Sequence, residues 1–391
     1  LNIKKHYSSI FIMEPALKDF SEDQDVLRFT LHGVEVCFAN ALRRTILSDI
    51  PVIVIKTDNF ENNQCTIKEN TGRLHNEIVK QRLSCIPIHS TVLRDSESEK
   101  ALPGNYSLVV DVENNTENII FVTTEDFQLR DNNNDGKILS KDEMDKVFPG
   151  LFPKNVQTQS YIDFIRLRPK IGNDVLGEKI SLTADFSIST AKENSMYNVV
   201  SKCSYGNTQD KSKISNVWDK MEEKMRSEGE TTADIQFQKE NFRLLDAQRH
   251  FIDNSFDFVI QTIGIYDNKD IVRKACAVLQ NKFIDMVELI DAGELPVYIS
   301  ETTMDHCYDI HLEGEDYTVG KILEYVLYSK YYEKEKTLTY CGFKKYHPHD
   351  EHSVIRLAYV DKQDKSVVNH YFRESCVDIQ DVFKDIYKMF K

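Results

Sequence analysis

The sequence predicts an α+β protein in which one strand–turn–helix unit is written twice, so that a single chain folds as an internal pseudo-dimer. Three observations carry this. Leu27-Arg-Phe-Thr-Leu-His-Gly33 is echoed by Tyr308-Asp-Ile-His-Leu-Glu-Gly314, at an offset of 281 positions (27 to 308). The register then holds without a gap: Phe38, Leu42 and Ile46 fall opposite Val319, Leu323 and Leu327, and Ala39 falls opposite Gly320. Each copy is also followed by a further strand and a long amphipathic helix. A unit repeated this far apart in one chain is ordinarily the two halves of a pseudo-symmetric pair.

Each element has a local physical reason. Leu27, Phe29 and Leu31 alternate with polar residues, the pattern of a half-buried strand. In the helix that follows, Phe38, Leu42, Thr45, Ile46 and Asp49 share one face, with Arg43 and Arg44 off it. The second helix carries a fuller stripe of Val319, Ile322, Leu323, Val326 and Leu327, with Thr318 placed as its N-cap. Ala39 and Gly320 are small enough to let a neighbouring element approach closely. Phe256-Asp-Phe-Val-Ile-Gln-Thr-Ile263 reads as a strand, followed by a helix with Ile271, Val272, Ala275, Val278, Leu279, Phe283 and Met286 at helical spacing. The second half matches it with Val354-Ile-Arg-Leu-Ala-Tyr-Val360 and a closing helix bearing Ile379, Val382, Phe383, Ile386, Tyr387 and Phe390. Between the halves, Asp291-Ala-Gly-Glu-Leu-Pro296 stops the long helix with Gly and Pro. The first half is interrupted by a large insertion. Within it, 94–105 and 130–150 read as polar excursions or linkers. The charged stretch 206–234 reads as a mobile loop with a short solvated helix around Val217, Trp218, Met221 and Met225.

Composition bounds the function. A chain of 391 residues with 41% hydrophobic content supports two or three domains with sizeable cores. No run approaches the ~20 apolar residues of a membrane span. The opening Leu1-Asn-Ile-Lys-Lys-His6 is too polar for a secretory signal, and without an initiator Met the true start is left open upstream. A net charge of −14 with no Lys/Arg cluster argues against direct, sequence-independent nucleic-acid binding. The eight cysteines are scattered singly with no Cys-x-x-Cys, which suggests neither a thiolate zinc site nor a disulfide framework. They read as reduced thiols of an intracellular protein.

One motif offers an alternative function. Asp131-x-Asn133-x-Asp135-Gly136, followed by Asp142, mimics the ligand order and central Gly of an EF-hand calcium loop. Position twelve is Asp142, with Glu143 beside it, and the stretch 123–130 is too short and too weakly amphipathic for an entering helix. A fortuitous loop is the better reading, and a calcium-binding regulatory protein acting through 131–143 is the rival. No Gly-x-Ser-x-Gly nucleophile motif and no Gly-x-x-x-x-Gly-Lys phosphate loop occurs.

Phe38-Ala-Asn-Ala-Leu-Arg-Arg-Thr-Ile-Leu-Ser-Asp-Ile-Pro51 resembles the signature helix of the alpha-type subunits of multisubunit DNA-dependent RNA polymerases. These include the bacterial alpha amino-terminal domain, the archaeal D subunit and its eukaryotic equivalents. Asn70-Thr-Gly-Arg-Leu-His-Asn-Glu-Ile78, with Gln81-Arg-Leu-Ser-Cys-Ile-Pro-Ile88, resembles the start of that family's second domain. Ala191-Lys-Glu-Asn-Ser through Cys203-Ser-Tyr205, Asp246-Ala-Gln-Arg and 256–264 resemble its return to the dimerisation domain. Glu315-Asp-Tyr-Thr-Val-Gly320 and Cys341-Gly-Phe-Lys-Lys-Tyr-His-Pro-His349 resemble the small L-type partner, normally a separate polypeptide. The whole is therefore similar to a third-largest and an eleventh polymerase subunit fused in one chain, an arrangement known from large nucleocytoplasmic DNA viruses. The Asn- and Lys-rich composition fits such an origin.

The resemblance implies a pseudo-dimer of two alpha-type dimerisation units, antiparallel sheets packed on helices, with a mixed α/β insert domain in the first. It divides the chain into 1–53 with 176–290 (D-like), 54–175 (insert) and 291–391 (L-like). Phe38, Leu42, Ile46, Val319, Leu323 and Leu327 would form the shared core. Arg43, Arg44, Asn70, Gly72, Arg73, His75 and Arg82 would face other subunits. The implied partners are the largest and second-largest polymerase subunits and a small subunit of the same platform, with no sequence-specific nucleic-acid contact and no membrane. The chain would be a non-catalytic assembly platform without a cofactor, Mg and zinc belonging to other subunits. It would act inside a cell, in a viral factory of the host cytoplasm, the virion or the nucleus. The cysteine cluster that holds zinc or iron–sulfur in some D-type members is absent from the sequence. His347-Pro-His-Asp-Glu-His352, despite its imidazoles, falls where the L-type family has a structural turn.

Overall fold

The computed structural model describes residues 13–89, 102–172 and 175–391. The polar stretch at 94–101, with Lys100, and the opening residues 1–12 lie outside them. The chain opens with β1 (Ala16–Asp23), β2 (Val26–His32), α1 (Val36–Ser48), β3 (Val52–Val54), β4 (Cys65–Asn70) and α2 (Asn76–Ser84). It continues through the turn α3 (Leu102–Asn105), β5 (Tyr106–Glu113), β6 (Ile120–Thr123), β7 (Gln128–Asp131), β8 (Lys137–Ile138), α4 (Lys141–Val147), β9 (Asp163–Leu167), β10 (Lys179–Asp185) and β11 (Ser187–Ser189). Then come β12 (Val200–Gln209), α5 (Lys211–Ser227), α6 (Thr232–Leu244), β13 (Phe251–Thr262) and α7 (Asn268–Asp291). It closes with β14 (Val297–Ile299), β15 (Cys307–Glu313), α8 (Tyr317–Leu327), β16 (Leu338–Lys344), β17 (His352–Tyr359) and α9 (Lys365–Met389). These form two compact units: 1–46, 200–261 and 268–391 make one, and 47–199 with 262–267 the other.

The first unit holds two four-stranded sheets, ordered β1-β2-β13-β12 and β14-β15-β17-β16. In each, a strand pair leads into a short helix, two more strands and a long helix. The pairing register follows the repeat: His32 lies opposite Ser255, and its counterpart Glu313 lies opposite His352. Both turn glycines adopt left-handed φ, +78° at Gly33 and +69° at Gly314, a conformation glycine enters without steric cost. Gly320 serves another purpose: a Cβ there would lie 1.9 Å from the Phe343 ring. Its lack of a side chain lets β16 close on α8.

Helices α7 and α9 pack along each other, and their buried faces correspond at an offset of 100 positions. Val272, Cys276, Leu279, Phe283 and Met286 match Phe372, Cys376, Ile379, Phe383 and Ile386, all buried. The Phe283 and Phe383 rings stack, with centroids 6.5 Å apart. Phe383 also lies 5.5 Å from Phe38 of α1. Beyond the end of α9, Phe390 meets Phe29 of β2 edge-on at 4.9 Å, and Phe29 stacks on Phe258 of β13. Such aromatic pairs add about 0.5–1.5 kcal/mol each beyond their area burial. The last helix of the chain is thus seated on the first sheet.

Two local expectations are corrected here. The N-cap of α8 is Asp316, whose Oδ1 accepts from the Thr318 backbone N–H at 2.8 Å; Thr318 lies inside the helix and is buried. The stretch 206–234 is not a loop with one solvated helix. It contributes to a helical hairpin, α5 and α6, capped by Asp210 and Thr231. Ile214, Val217, Trp218 and Met225 pack against Ile235, Phe242 and Ala247. Dense charge on the outer faces disguises this narrow apolar seam.

In the second unit a five-stranded sheet, β4-β10-β5-β7-β8, is joined by the pairs β11-β3 and β6-β9. Leu108, Val110, Phe127, Leu129, Phe164, Ile180 and Leu182 anchor its core. Much of the segment 130–150 is structured rather than a linker. Leu139, Met144 and Phe148 are buried in that core, and Phe148 meets Tyr106 edge-on at 5.1 Å.

Candidate functional site

In the first unit, the six residues expected in the shared core, Phe38, Leu42, Ile46, Val319, Leu323 and Leu327, are each at most 1% exposed. The polar side chains beside them bond across the two copies. Arg44 Nη2 donates to Asp316 Oδ2 at 2.6 Å, and Lys282 Nζ of α7 lies 3.3 Å from Glu315. Arg43 turns back along its own helix, donating through Nε and Nη2 to Asn40 Oδ1 at 3.2 and 2.9 Å. On the other side of the junction, Tyr325 of α8 lies beside Glu35 in the wall of one cavity. Burial pushes the Tyr325 hydroxyl up to about 12, and the Glu35 carboxylate adds to the shift. That cavity, of about 500 Å³, is also walled by Cys37, Tyr205, Glu324 and Tyr328 among others.

In the second unit, Asn70 builds the turn between β4 and α2. Its amide donates to Leu74 O and Asn76 Oδ1, both at 2.8 Å, and its Oδ1 accepts from Gly72 N at 3.0 Å. Arg82 is spent internally, donating to Phe164 O and Asp163 O of β9 at 2.7 and 2.9 Å. Val79 and Leu83 bury the inner face of α2. Arg73, His75 and Arg82 of this block are exposed to solvent, the first two on the rim of a polar cavity of about 480 Å³. Of the residues expected at subunit contacts, then, Arg73, His75 and Arg82 are exposed, while Arg44 and Arg82 also bond within the chain.

The 131–143 motif forms a β-hairpin turn. Strand β7, not a helix, leads into it. Asp135 and Gly136 take φ of +47° and +70°, and Asp131 Oδ1 accepts from Asn133 N at 2.9 Å. Asp142 lies in the first turn of α4. The neighbouring Glu143 carboxylate closes a capping box with Ser140 and receives Lys137 Nζ at 2.7 Å. Those bonds, the lysine's first, hold it at about 2. Among the described residues no group of three or more His, Cys, Asp or Glu is placed to hold a metal. His347 and His349 lie in a turn closed by Asp350, which accepts from His347 N at 2.9 Å. All eight cysteines are free thiols, five of them buried.

Sequence reasoning did not single out the Glu35–Tyr325 pair or a buried cation at Lys330. Lys330 lies in a π-helical turn, Tyr328–Lys334, after α8. Its Nζ is 3.0 Å from Asp378 and 3.2 Å from Glu374 of α9. Tyr331 donates to the same Glu374 at 2.8 Å. No spacing rule joins residues so far apart in sequence, but the repeat offset would have paired Glu35 with Asp316 and Tyr325 with Arg44.

Comparison with known proteins places this geometry. A 71-residue stretch is 41% identical to DNA-directed RNA polymerase subunit Rpo3 of Pyrococcus furiosus, covering 18% of this chain and 24% of that protein. Over 68 residues the chain is 31% identical to DNA-directed RNA polymerases I and III subunit RPAC1 of Homo sapiens, 17% of this chain and 18% of that one. Over 76 residues it is 34% identical to DNA-directed RNA polymerases IV and V subunit 3B of Arabidopsis thaliana, 19% of this chain and 22% of that one. The chain therefore matches a quarter or less of the length of these relatives. The family described as the RNA polymerase Rpb3/Rpb11 dimerisation domain matches residues 28–283, more than half of the chain. The protein belongs to the RNA polymerase Rpb3/Rpb11 dimerisation-domain family, the alpha-like subunits.

Proposed function

We propose that this chain is a fused alpha-type platform of a multisubunit DNA-directed RNA polymerase, in which the D-like and L-like partners are one polypeptide. The observation that supports it best is reciprocity. Residues paired by the repeat offset lie in matching places: Arg44 beside Asp316, and Tyr325 beside Glu35. In a two-fold interface, if i touches j, then the copy of i touches the copy of j. Fusion makes the association intramolecular, with an effective concentration set by the linker rather than by expression level.

On this reading 1–53 with 176–290 and 291–391 are the two dimerisation units, and 54–175 is the insert domain. The subunit catalyses nothing itself and nucleates assembly of the two largest subunits, where the polymerase's Mg and zinc reside. Arg73, His75 and Arg82 are its exposed contacts toward the second-largest subunit; Arg43 and Arg44 shape the adjoining helix rather than projecting freely. The C-terminal half faces the largest subunit, and a small subunit completes the platform. No helix among the described residues is long and apolar enough to cross a membrane. The fused arrangement and the Asn- and Lys-rich composition favour a large nucleocytoplasmic DNA virus as the source, with action in a viral factory, the virion or the nucleus.

The test is co-expression with the two largest subunits of the same source. The full chain is expected to hold both in one complex that survives gel filtration. A chain that remains apart from both would overturn the reading.

A further inference from the structure

The sequence offset of 281 relates the two sides of the α1–α8 junction, and they are unequal in charge. On one side a carboxylate, Asp316, receives a guanidinium from the same chain, Arg44. On the other, the equivalent carboxylate is Glu35, and the residue in the place of Arg44 is Tyr325. Among the described residues no Lys or Arg is paired with Glu35. The group beside Glu35 is instead the uncharged hydroxyl of Tyr325. Only here does the junction leave a cavity of about 500 Å³ among the cavities described. Its walls bring together Tyr205, Tyr325 and Tyr328 with the carboxylates of Glu35 and Glu324. Glu324 is already engaged, by Lys321 Nζ at 2.5 Å and by Phe343 N at 3.0 Å. Glu35 is the carboxylate without a cation.

We propose that this cavity is a socket for an arginine side chain presented by a partner protein, which takes beside Glu35 the place Arg44 fills beside Asp316. The chemistry fits that occupant. A guanidinium is planar, weakly hydrated and permanently charged, stacks on tyrosine faces and pairs bidentately with a carboxylate. Its aliphatic stem lies along apolar wall, supplied here by Val36, which is 52% exposed. Charge complementarity selects the occupant: an acidic or neutral side chain would leave Glu35 uncompensated, and a purely apolar one would cover its carboxylate.

The test uses the full chain alone, so it does not depend on the polymerase reading. The protein is titrated with N-acetyl-arginine methylamide, its neutral isostere N-acetyl-citrulline methylamide and N-acetyl-leucine methylamide, following tyrosine ring resonances by NMR. The arginine probe is expected to bind in the millimolar range and to shift Tyr205 and Tyr328, about tenfold or more tighter than citrulline. Glu35→Gln should abolish that preference. Tyr325→Arg should close the socket from within, folding as the parent does and losing the probe. If Tyr325→Arg misfolds, Glu35→Gln still decides. Equal binding of arginine and citrulline, tighter binding of leucine, an unchanged preference in Glu35→Gln, or no binding of arginine would each overturn the proposal.

Discussion

Arg44 of the first short helix donates to Asp316 at the head of the second, at 2.6 Å, and the counterparts of these two residues, Tyr325 and Glu35, lie together in the wall of one cavity. These are the two pairs that the sequence offset of 281 puts in corresponding places. Their energetic weights differ. The Arg44–Asp316 side chains are 35% and 32% exposed, so solvent screening limits the pair to about 0.2–1 kcal/mol. Asp316 also caps α8, worth about 1 kcal/mol more. Asp316→Ala should therefore destabilise more than Arg44→Ala, with a coupling below about 1 kcal/mol in a double-mutant cycle. Denaturant unfolding measures all three variants. Arg44→Ala costing as much as Asp316→Ala would remove the capping role.

Leu42→Asp tests the shared core. Leu42 is fully buried on α1. The substitution forfeits about 2 kcal/mol of apolar burial and adds several kcal/mol for an unpaired buried carboxylate. Against a total stability of about 5–15 kcal/mol this is severe. An exposed control, Lys220→Ala on α5, should stay within about half a kcal/mol. A Leu42→Asp chain melting with the parent would show that α1 contributes little to the core.

The cross-strand pair Arg356–Asp309 should shape the acid limb. Arg356 donates through Nε and Nη2 to the two Asp309 oxygens at 2.6 and 2.7 Å. Burial pushes the Asp309 carboxyl up, but Arg356 and Ser300 more than offset it, leaving it below its ordinary 3.8. A carboxyl depressed on folding lends stability that is complete above its unfolded value and vanishes as pH falls through its folded one. Asp309→Asn should therefore lower stability by about 1–3 kcal/mol at neutral pH. The gap should close below pH 3.8. Thermal melts of both proteins across that range read it directly; a gap that widens toward acid would contradict the sign.

The purified chain should carry no stoichiometric zinc, iron or calcium. Elemental analysis is expected to find none, and calcium should leave the melting temperature unchanged. One bound metal per chain would return attention to the 347–352 turn, and a calcium shift to the 131–137 hairpin.

How much was legible in the sequence depended on the range of the interaction. Strand alternation at Leu27, Phe29 and Leu31 and the helical stripes at Phe38–Leu42–Ile46 and Val319–Leu323–Leu327 are local periodicities, and these residues are buried in the structure. Capping was less clear, because Asp316 and Thr318 are both good N-caps and the choice turns on where the chain leaves Gly314. The α5–α6 hairpin was misread because Trp218 needs Phe242, 24 positions on, before its stripe has anything to pack against. The candidate interface was legible as a list of residues but not as geometry. Only the fold reveals that Arg82, itself exposed, is tied to the carbonyls of β9.

Native mass spectrometry of the complex purified through this chain from its natural source reads the fusion from subunit masses. One copy of the chain is expected with one each of the two largest polymerase subunits, and no separate L-type subunit. A second alpha-type polypeptide in stoichiometric amount, or two copies of this chain, would contradict it.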